Sequence, residues 1–380
     1  MALLTDWAAA PGGCRAMDTR TKQSGPTQRD QGGALRPSAL LALAALSLGV
    51  GSSAQEVGQD PRSASPEPRT AFVSSPLYRQ HDTGPYHPER AARLEAIEDR
   101  LRERGLTARL LALTPAPAAL EWVTTIHRAE YVERVRRLCA AAAPCIDTPD
   151  VPVGKESYAV ALLAAGGVLT GVDAVATGQA RNAFCAVRPP GHHALRDQAM
   201  GFCLFNNVAI AARYAQGRHK LGKILIVDWD AHHGNGTQAA FYDDPTVLYF
   251  SAHRDPFYPG TGKAAERGEG KGLSYTLNVP LPAGSGDAVY CQAFTETLAP
   301  AALAFQPDLI LVSAGFDAHQ DDPLGGMRLT PDGYAALTRI VKDLAARCCG
   351  GRLVAVLEGG YGLEGLADSV EAVVRVLLEP

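Results

Sequence analysis

The sequence predicts one α/β domain built on a single open, mostly parallel sheet with helices on both faces. Short apolar runs alternate along the chain with longer stretches of helical periodicity. Strands that are apolar along their whole length are typical of a parallel sheet, because helices cover both of its faces. The chain has 380 residues, a length that fits one large α/β domain or two small ones.

Five strands and six helices are predicted after the first seventy residues. The strands are expected over 183–187, 223–229, 246–250, 309–313 and 353–357. The helices are expected over 88–104, 157–176, 207–215, 288–304, 331–346 and 364–378. Pro88 and Pro331 are expected in first helical turns, where a missing N–H costs no hydrogen bond. Because sites in such sheets form at the carboxyl ends of strands, reactive residues should directly follow the apolar runs.

The start of the chain has a different composition. Residues 1–54 are predicted to be a leader, because an apolar run over 39–50 follows Arg36 and precedes a small-residue site ending at Ala54. That order is typical of a secretory signal peptide. The alternative is an extension with one apolar patch and no signal function.

The predicted domain order follows from this division. Residues 55–69, rich in Ser, Pro and charge, are predicted to be a linker, and residues 70–380 the catalytic domain. The protein is expected in the periplasm or outside the cell if the leader is a true signal, and in the cytoplasm otherwise. No membrane span is expected after removal of the leader.

Charge and cysteine usage exclude two classes of protein. The 36 basic and 40 acidic residues give a net charge of −4 without a clustered basic patch, so direct nucleic-acid binding is not expected. The 8 cysteines are scattered without CxxC spacing, which indicates reduced or buried thiols and no disulfide framework.

The segment after strand 223–229 carries four ionisable side chains. If the extended geometry continues, side chains alternate, so Asp228, Asp230 and His232 project to one side. Asp230 and His232 could then bind one metal ion, and a carboxylate with an imidazole suits zinc. The alternative is a loop of solvated polar residues.

A third metal ligand follows another strand. Asp317 comes after the apolar run 309–313 and a glycine, and it could complete an Asp/His/Asp set. Three protein ligands with open positions are typical of a catalytic zinc site.

Two further segments carry groups suited to hydrolysis. His192 and His193 follow a rigid Pro-Pro-Gly turn, which places them for proton transfer or metal binding, although a buried histidine is often only a core residue. Tyr361 follows two glycines after strand 353–357 and could donate to a developing oxyanion. The alternative for Tyr361 is a side chain packed under a loop.

These segments together resemble motifs of the histone deacetylase superfamily, which includes bacterial deacetylase-like and acetylpolyamine amidohydrolase members. The resemblance covers residues 70–378. The motifs, in the family's order, are R-P-P-G-H-H at 188–193, G-F-C-x-F-N-N at 201–207, D-x-D-x-H-H-G-N-G-T at 228–237, P-G-T-G at 259–262, S-A-G-F-D at 313–317 and L-E-G-G-Y at 357–361. H-P-E-R at 87–90 and L-E-G-G-Y look more like the class II branch.

The resemblance implies the catalytic roles. His193 would be the general base and then the general acid. His192 would stay protonated or hydrogen-bonded, would stabilise charge and would be oriented by Asp228. Tyr361 would polarise the substrate carbonyl and stabilise the oxyanion. Asn235 stands where class I members carry an aspartate, which should leave His193 less basic.

The resemblance also implies the bound ions. One zinc ion per chain would be bound by Asp230, His232 and Asp317. A structural monovalent cation, usually potassium, would lie at a site formed by Asp228, Asp230, His232, Ser251 and Ala252.

A narrow channel for an acyl-lysine side chain is implied as well. Phe202 and Tyr258 would form its walls beside Gly201, with Tyr258 replacing the more usual Phe. Asp150 would grip the substrate backbone. Leu324 stands near where polyamine-selective relatives place a carboxylate, so it favours a lysine deacetylase.

The predicted function is a zinc-dependent amidohydrolase that removes an acetyl or other acyl group from the Nε of lysine or a similar amine. Its expected partner is an acylated lysine peptide or another acetylated amine. The alternatives are an acetylpolyamine amidohydrolase and a non-catalytic binder of acyl ligands. Arginase-like ureohydrolases share the architecture but bind two manganese ions, which require more Asp and His ligands than the motifs supply.

Overall fold

The computed structural model of the protein describes residues 69–380. The predicted leader, 1–54, and the predicted linker up to residue 68 lie outside the described residues. Export and cleavage of the leader therefore stay predictions.

The described strands form one sheet of eight strands. In chain order they are β1 (Arg69–Val73), β2 (Leu111–Leu113), β3 (Ala180–Cys185), β4 (Ile224–Asp228), β5 (Val247–Arg254), β6 (Thr276–Leu281), β7 (Leu309–Ala314) and β8 (Leu353–Leu357). Their order across the sheet is β2-β1-β3-β8-β7-β4-β5-β6. All neighbouring pairs are parallel. The open parallel sheet predicted from the sequence is confirmed.

Helices cover both faces of this sheet. They are α1 (Ala92–Glu103), α2 (Leu120–Val123), α3 (Ala129–Ala140), α4 (Ser157–Ala176), α5 (Asn207–His219), α6 (Asn235–Ala240), α7 (Asp287–Ala293), α8 (Ala299–Phe305), α9 (Pro331–Cys349) and α10 (Leu363–Leu378). One group contains α1, α9 and α10, and the other contains α4 and α5. Strand β3 contacts α4 from one group and α10 from the other.

The predicted elements are present, with shifted ends and some omissions. The predictions did not include β1, β2, β6, α2, α3 and α6. Strand β2 has only three residues, and the edge strand β6 contains Pro280, so neither gives a clear apolar run. The helix predicted over 288–304 is divided into α7 and α8 by a π-helical turn at Phe294–Leu298.

The predicted start of the first helix, at Pro88, is wrong. Helix α1 begins at Ala92 because backbone groups before it form hydrogen bonds with side chains instead of the hydrogen bonds of a helix. The carbonyl of Glu89 accepts a hydrogen bond from the Thr83 hydroxyl at 2.6 Å. The Glu89 N–H donates to His87 Nδ1 at 3.1 Å. Pro331, in contrast, is the first residue of α9, as predicted.

Helix α4 is long and strongly apolar. Among residues 69–380 it alone has the length and hydropathy that could cross a membrane. However, 72% of its apolar window is buried inside the protein. It contacts α5, β1 and β3, as expected for a core helix.

A fully buried ion network joins α1 to the loop after β3. The Glu89 carboxylate accepts two hydrogen bonds of 2.8 Å from Arg188 and one of 3.2 Å from Arg93, and none of the three side chains is exposed. Burial alone would raise the pKa of Glu89, but the charge and hydrogen bonds of Arg188 outweigh it and hold that pKa well below its ordinary value. Burial also lowers the pKa of the neighbouring His81 to about 3, so this imidazole is neutral.

Replacing the carboxylate in this network should destabilise the fold strongly. Glu89→Gln leaves two guanidinium groups buried without a counter-ion, a change that typically costs about 3–5 kcal/mol. Urea denaturation would measure the loss. The control is Asp99→Asn, which breaks an exposed pair with Arg102 (Nη1–Oδ1 2.6 Å) and should cost about 0–1 kcal/mol. Similar losses in the two variants would contradict a special role for the buried network.

Candidate active site

The strand order brings the reactive segments to one edge of the sheet. Strands β8, β7 and β4 are neighbours and parallel, so their carboxyl ends lie side by side. Strand β4 ends at Asp228, and the segments after β7 and β8 carry Asp317 and Tyr361. Strand β3 lies beside β8, so the loop with the two histidines enters from the adjoining position.

The three predicted zinc ligands form a compact group. The ligand atoms of Asp230, His232 and Asp317 all lie within 4.8 Å of one another, and all three residues are buried. His232 Nδ1 is 3.0 Å from Asp230 Oδ1 and 2.9 Å from Asp317 Oδ2. Among residues 69–380 this is the one group of at least three such side chains placed closely enough to hold a metal ion.

The surroundings of this group fit a metal ion. Two carboxylates and an imidazole are ligands that zinc accepts. The Gly359 N–H donates to Asp230 Oδ2 at 2.9 Å, and the Ala231 N–H donates to Asp317 Oδ1 at 2.8 Å, so backbone groups fix both carboxylates. A side chain at position 359 would collide with both carboxylates, which explains the glycine there.

Electrostatics in the group favour a bound cation. Burial, followed by the neighbouring carboxylate of Asp230, raises the pKa of Asp317 above its ordinary value. Burial lowers the pKa of His232, but hydrogen bonds to Asp230 and Asp317 outweigh it and raise that pKa to about 9. Two buried carboxylates whose ligand atoms lie within 4.8 Å of each other repel, and a positive charge between them relieves the repulsion.

The two histidines lie beside this group with their rings in contact. Their ring centroids are 4.0 Å apart. His192 Nδ1 is 3.1 Å from Asp228 Oδ2, and His193 Nδ1 is 2.8 Å from Asn235 Oδ1. Each histidine therefore has the partner that the sequence resemblance assigns to it. Because the amide oxygen of Asn235 only accepts, Nδ1 of His193 carries the proton and its Nε2 has a free lone pair.

The surroundings separate the pKa values of the two histidines. Burial lowers the pKa of His192, but Asp230 and Asp228 together outweigh it and raise the value to about 10. Burial, followed by the positive charge of His192, holds the pKa of His193 well below its ordinary value. One imidazole is therefore charged and the other neutral, a division that is typical of acid–base pairs in enzymes.

Tyr361 lies on the loop between β8 and α10. Tyr361 is only 9% exposed, and its ring makes an edge contact with the ring of Phe202, with centroids 5.6 Å apart. Burial, followed by the negative charge of Asp317, raises the pKa of its phenol well above 10, so the hydroxyl stays protonated. The Arg93 guanidinium lies 5.1 Å from the ring centroid. The same guanidinium donates to the Gly360 carbonyl at 2.6 Å.

The residues predicted to form the substrate channel lie near the two histidines. The Tyr258 ring lies at right angles to the His193 ring, with centroids 5.2 Å apart. Gly201 and Phe202 both have positive φ, and a side chain at position 201 would collide with His193. The Gly201 N–H donates to Asp150 Oδ2 at 2.9 Å. The structure thus brings four of the predicted substrate residues together around the histidines.

The remaining predicted residues lie close by. Leu324 is half-buried, and its neighbour Gly325 packs against the backbone of Asp317. Ser251 and Ala252 are fully buried on β5, where Ser251 pairs in register with Asp228 of β4. The monovalent-cation site predicted at Asp228, Asp230, His232, Ser251 and Ala252 stays a prediction.

Sequence reasoning gave no role to Glu358, a buried carboxylate beside the site. It accepts hydrogen bonds from the Gly191 N–H at 2.6 Å, the His192 N–H at 3.2 Å and the Ser313 hydroxyl at 3.1 Å. It therefore holds the backbone of the histidine loop. Its position directly after an apolar strand was the signal available in the sequence.

The seven described cysteines take no part in the metal group. Cys139, Cys185 and Cys203 are buried free thiols, as the sequence indicates. Burial raises the pKa of Cys185 above its ordinary value, so this thiol is protonated. Cys14 lies outside the described residues.

Comparisons with known proteins agree with this geometry. Residues 87–377 match the profile of the histone deacetylase domain. A probable deacetylase of Archaeoglobus fulgidus is 44% identical over 299 residues, which cover 78% of this chain and 82% of the relative. The polyamine deacetylase HDAC10 of Homo sapiens is 46% identical over 301 residues, or 76% of this chain and 44% of the relative.

A solved structure shows the same fold. The HD domain of HDA15 superimposes with a TM-score of 0.79 at 41% identity, covering 82% of this chain and 89% of that one. The family match, the identities and the shared fold cover nearly all the described residues. The chain belongs to the histone deacetylase family and is a hydrolase that deacetylates linear amides.

Proposed function

We propose that this protein is a zinc-dependent deacetylase that removes the acetyl group from the Nε of acetyl-lysine. One observation carries the proposal: a buried Asp/His/Asp group lies beside a histidine pair, and the buried phenol of Tyr361 is close enough to be affected by the charges of Asp317 and Asp230. Metal ligands, a proton acceptor and an oxyanion donor are the parts that metal-assisted amide hydrolysis requires.

Asp230, His232 and Asp317 would hold the zinc ion. When bound, zinc supplies a Lewis acid that lowers the pKa of water and polarises a carbonyl group. The ligands come from the segments after β4 and β7, which backbone hydrogen bonds hold in place. Ligands fixed in this way need little rearrangement when the ion binds.

His193 would move the proton in both halves of the reaction. Its neutral ring and free Nε2 allow it to take a proton from the attacking water. It then delivers that proton to the leaving nitrogen, so that the amine departs without a negative charge. Asn235 accepts from Nδ1 without adding a charge, and His192, paired with Asp228, keeps a positive charge nearby.

Tyr361 would stabilise the oxyanion that develops on the substrate carbonyl. Its protonated phenol can donate one hydrogen bond, and its burial strengthens that bond because water does not compete. Phe202 packs against its ring and limits where the hydroxyl can lie.

The pocket residues favour lysine over a polyamine. A second ammonium group on a polyamine needs a carboxylate near the pocket mouth, and position 324 carries leucine. The second candidate function is deacetylation of polyamines, which the 46% identity to a polyamine deacetylase favours.

Removing the Tyr361 hydroxyl should abolish most of the activity while leaving the fold intact. Loss of one oxyanion donor typically lowers kcat by about 10²–10³-fold. Turnover of a fluorogenic acetyl-lysine substrate by Tyr361→Phe would measure the loss. Tyr214→Phe is the matched control, because that hydroxyl donates to Asp173 at 2.8 Å on another part of the surface. Near-normal turnover by Tyr361→Phe would refute the proposed role.

Substrate selection can be measured by comparing an acetyl-lysine peptide with N-acetylputrescine. We expect a higher kcat/KM for the peptide, because no carboxylate stands at position 324 to pair with a second ammonium. Leu324→Glu should shift the ratio toward N-acetylputrescine. A clear preference of the unmodified protein for the polyamine would overturn the lysine assignment in favour of the second candidate.

A further inference from the structure

Asp322 connects two loops at the site through four backbone hydrogen bonds. Its Oδ2 accepts from the N–H groups of Tyr361 at 2.7 Å and Gly362 at 3.1 Å. Its Oδ1 accepts from the N–H groups of Leu324 at 2.8 Å and Gly325 at 3.1 Å. One carboxylate therefore holds the loop after β8 and the loop after β7 together.

The chemistry of these contacts requires a carboxylate. All four partners are N–H donors, and only an ionised carboxyl group accepts at both oxygens without offering a proton of its own. Hydrogen bonds to a charged acceptor are also stronger than those between neutral groups. An asparagine of the same shape would turn an NH₂ group toward two of the four donors.

The loop that carries Tyr361 is held from two sides. Arg93 donates to the carbonyls of Gly360 and Glu358, on the side of α1. Asp322 accepts from the N–H groups of Tyr361 and Gly362, on the side of the β7 loop. Gly360 has a φ of 122°, a conformation that residues other than glycine rarely adopt.

We infer that Asp322 is a positioning residue that fixes the oxyanion donor and the substrate pocket relative to each other. It sets the backbone of Tyr361 through one oxygen and the backbone of Leu324 through the other. A displacement of Tyr361 by about 1 Å would be enough to lower turnover by about 10²-fold. This inference rests on the proposed role of Tyr361.

The first measurement is steady-state kinetics of the full chain carrying Asp322→Asn, with bound metal counted on the same sample. We expect kcat on a fluorogenic acetyl-lysine substrate to fall by about 10²-fold. The metal content should match that of the unmodified protein. Asp287→Asn is the matched control, because Asp287 also accepts from a backbone N–H, that of Thr330 at 2.9 Å, but does not contact Tyr361. The control should keep its kcat, and unchanged kcat in Asp322→Asn would overturn the inference.

The second measurement combines Asp322→Asn with Tyr361→Phe. If Asp322 acts through Tyr361, its loss should cost little once the hydroxyl is absent, because residues acting as a unit are not additive. A full additional loss in the double variant would show a general structural effect and overturn the inference. Full activity of Tyr361→Phe alone would instead refute the proposed function of the tyrosine.

Asp322→Glu is the variant to measure if Asp322→Asn does not fold. It retains the charge and both acceptor oxygens but moves them by one methylene group. We expect its kcat to lie between those of the unmodified protein and Asp322→Asn. A loss in Asp322→Glu that persists in full after Tyr361→Phe would also overturn the inference.

Discussion

The site depends on the cost of burying negative charge. Four carboxylates with at most 1% exposure lie at the carboxyl ends of three neighbouring strands: Asp228, Asp230, Asp317 and Glu358. Buried carboxylates are tolerated only when they are paired, hydrogen-bonded or bound to a metal. His192 and backbone N–H groups compensate part of this charge, and a divalent cation would compensate the rest. Burial and the positive charge retained on His192 together keep His193 neutral, as its proposed role of proton acceptor requires.

The sheet determines where the reactive loops start, and buried polar contacts then fix the backbones of these loops. Because β3, β8, β7 and β4 are consecutive in the sheet, each reactive loop starts next to another one. The loops themselves are then fixed by charged side chains behind them. Glu358 accepts from the histidine loop, and Arg93 donates to the tyrosine loop. Arg93 also donates to the backbone carbonyl of Glu358, and Glu89 joins Arg93 to Arg188, so the supports of both loops belong to one network.

The sequence predicts which segments come together, because these segments follow apolar strands. Asp230, His232 and Asp317 come together as expected for strand ends at one edge of a parallel sheet. The supporting contacts could not be predicted, because they join residues far apart in the chain. Glu89 and Arg188, for example, are separated by 99 positions, and no local pattern links them. The start of α1 was misplaced for a local reason, because the Glu89 backbone bonds to the side chains of Thr83 and His87 although the helical pattern extends to Pro88.

The most direct measurement is a zinc titration of the metal-free full chain, with hydrolysis of a fluorogenic acetyl-lysine substrate as the readout. The proposed site predicts that activity is absent without metal, rises in proportion to added zinc and reaches a plateau at one equivalent per chain. Asp230→Ala should neither bind the ion tightly nor gain activity. Full activity of the metal-free protein, or a plateau at two equivalents, would contradict a single catalytic zinc ion held by the buried Asp/His/Asp group.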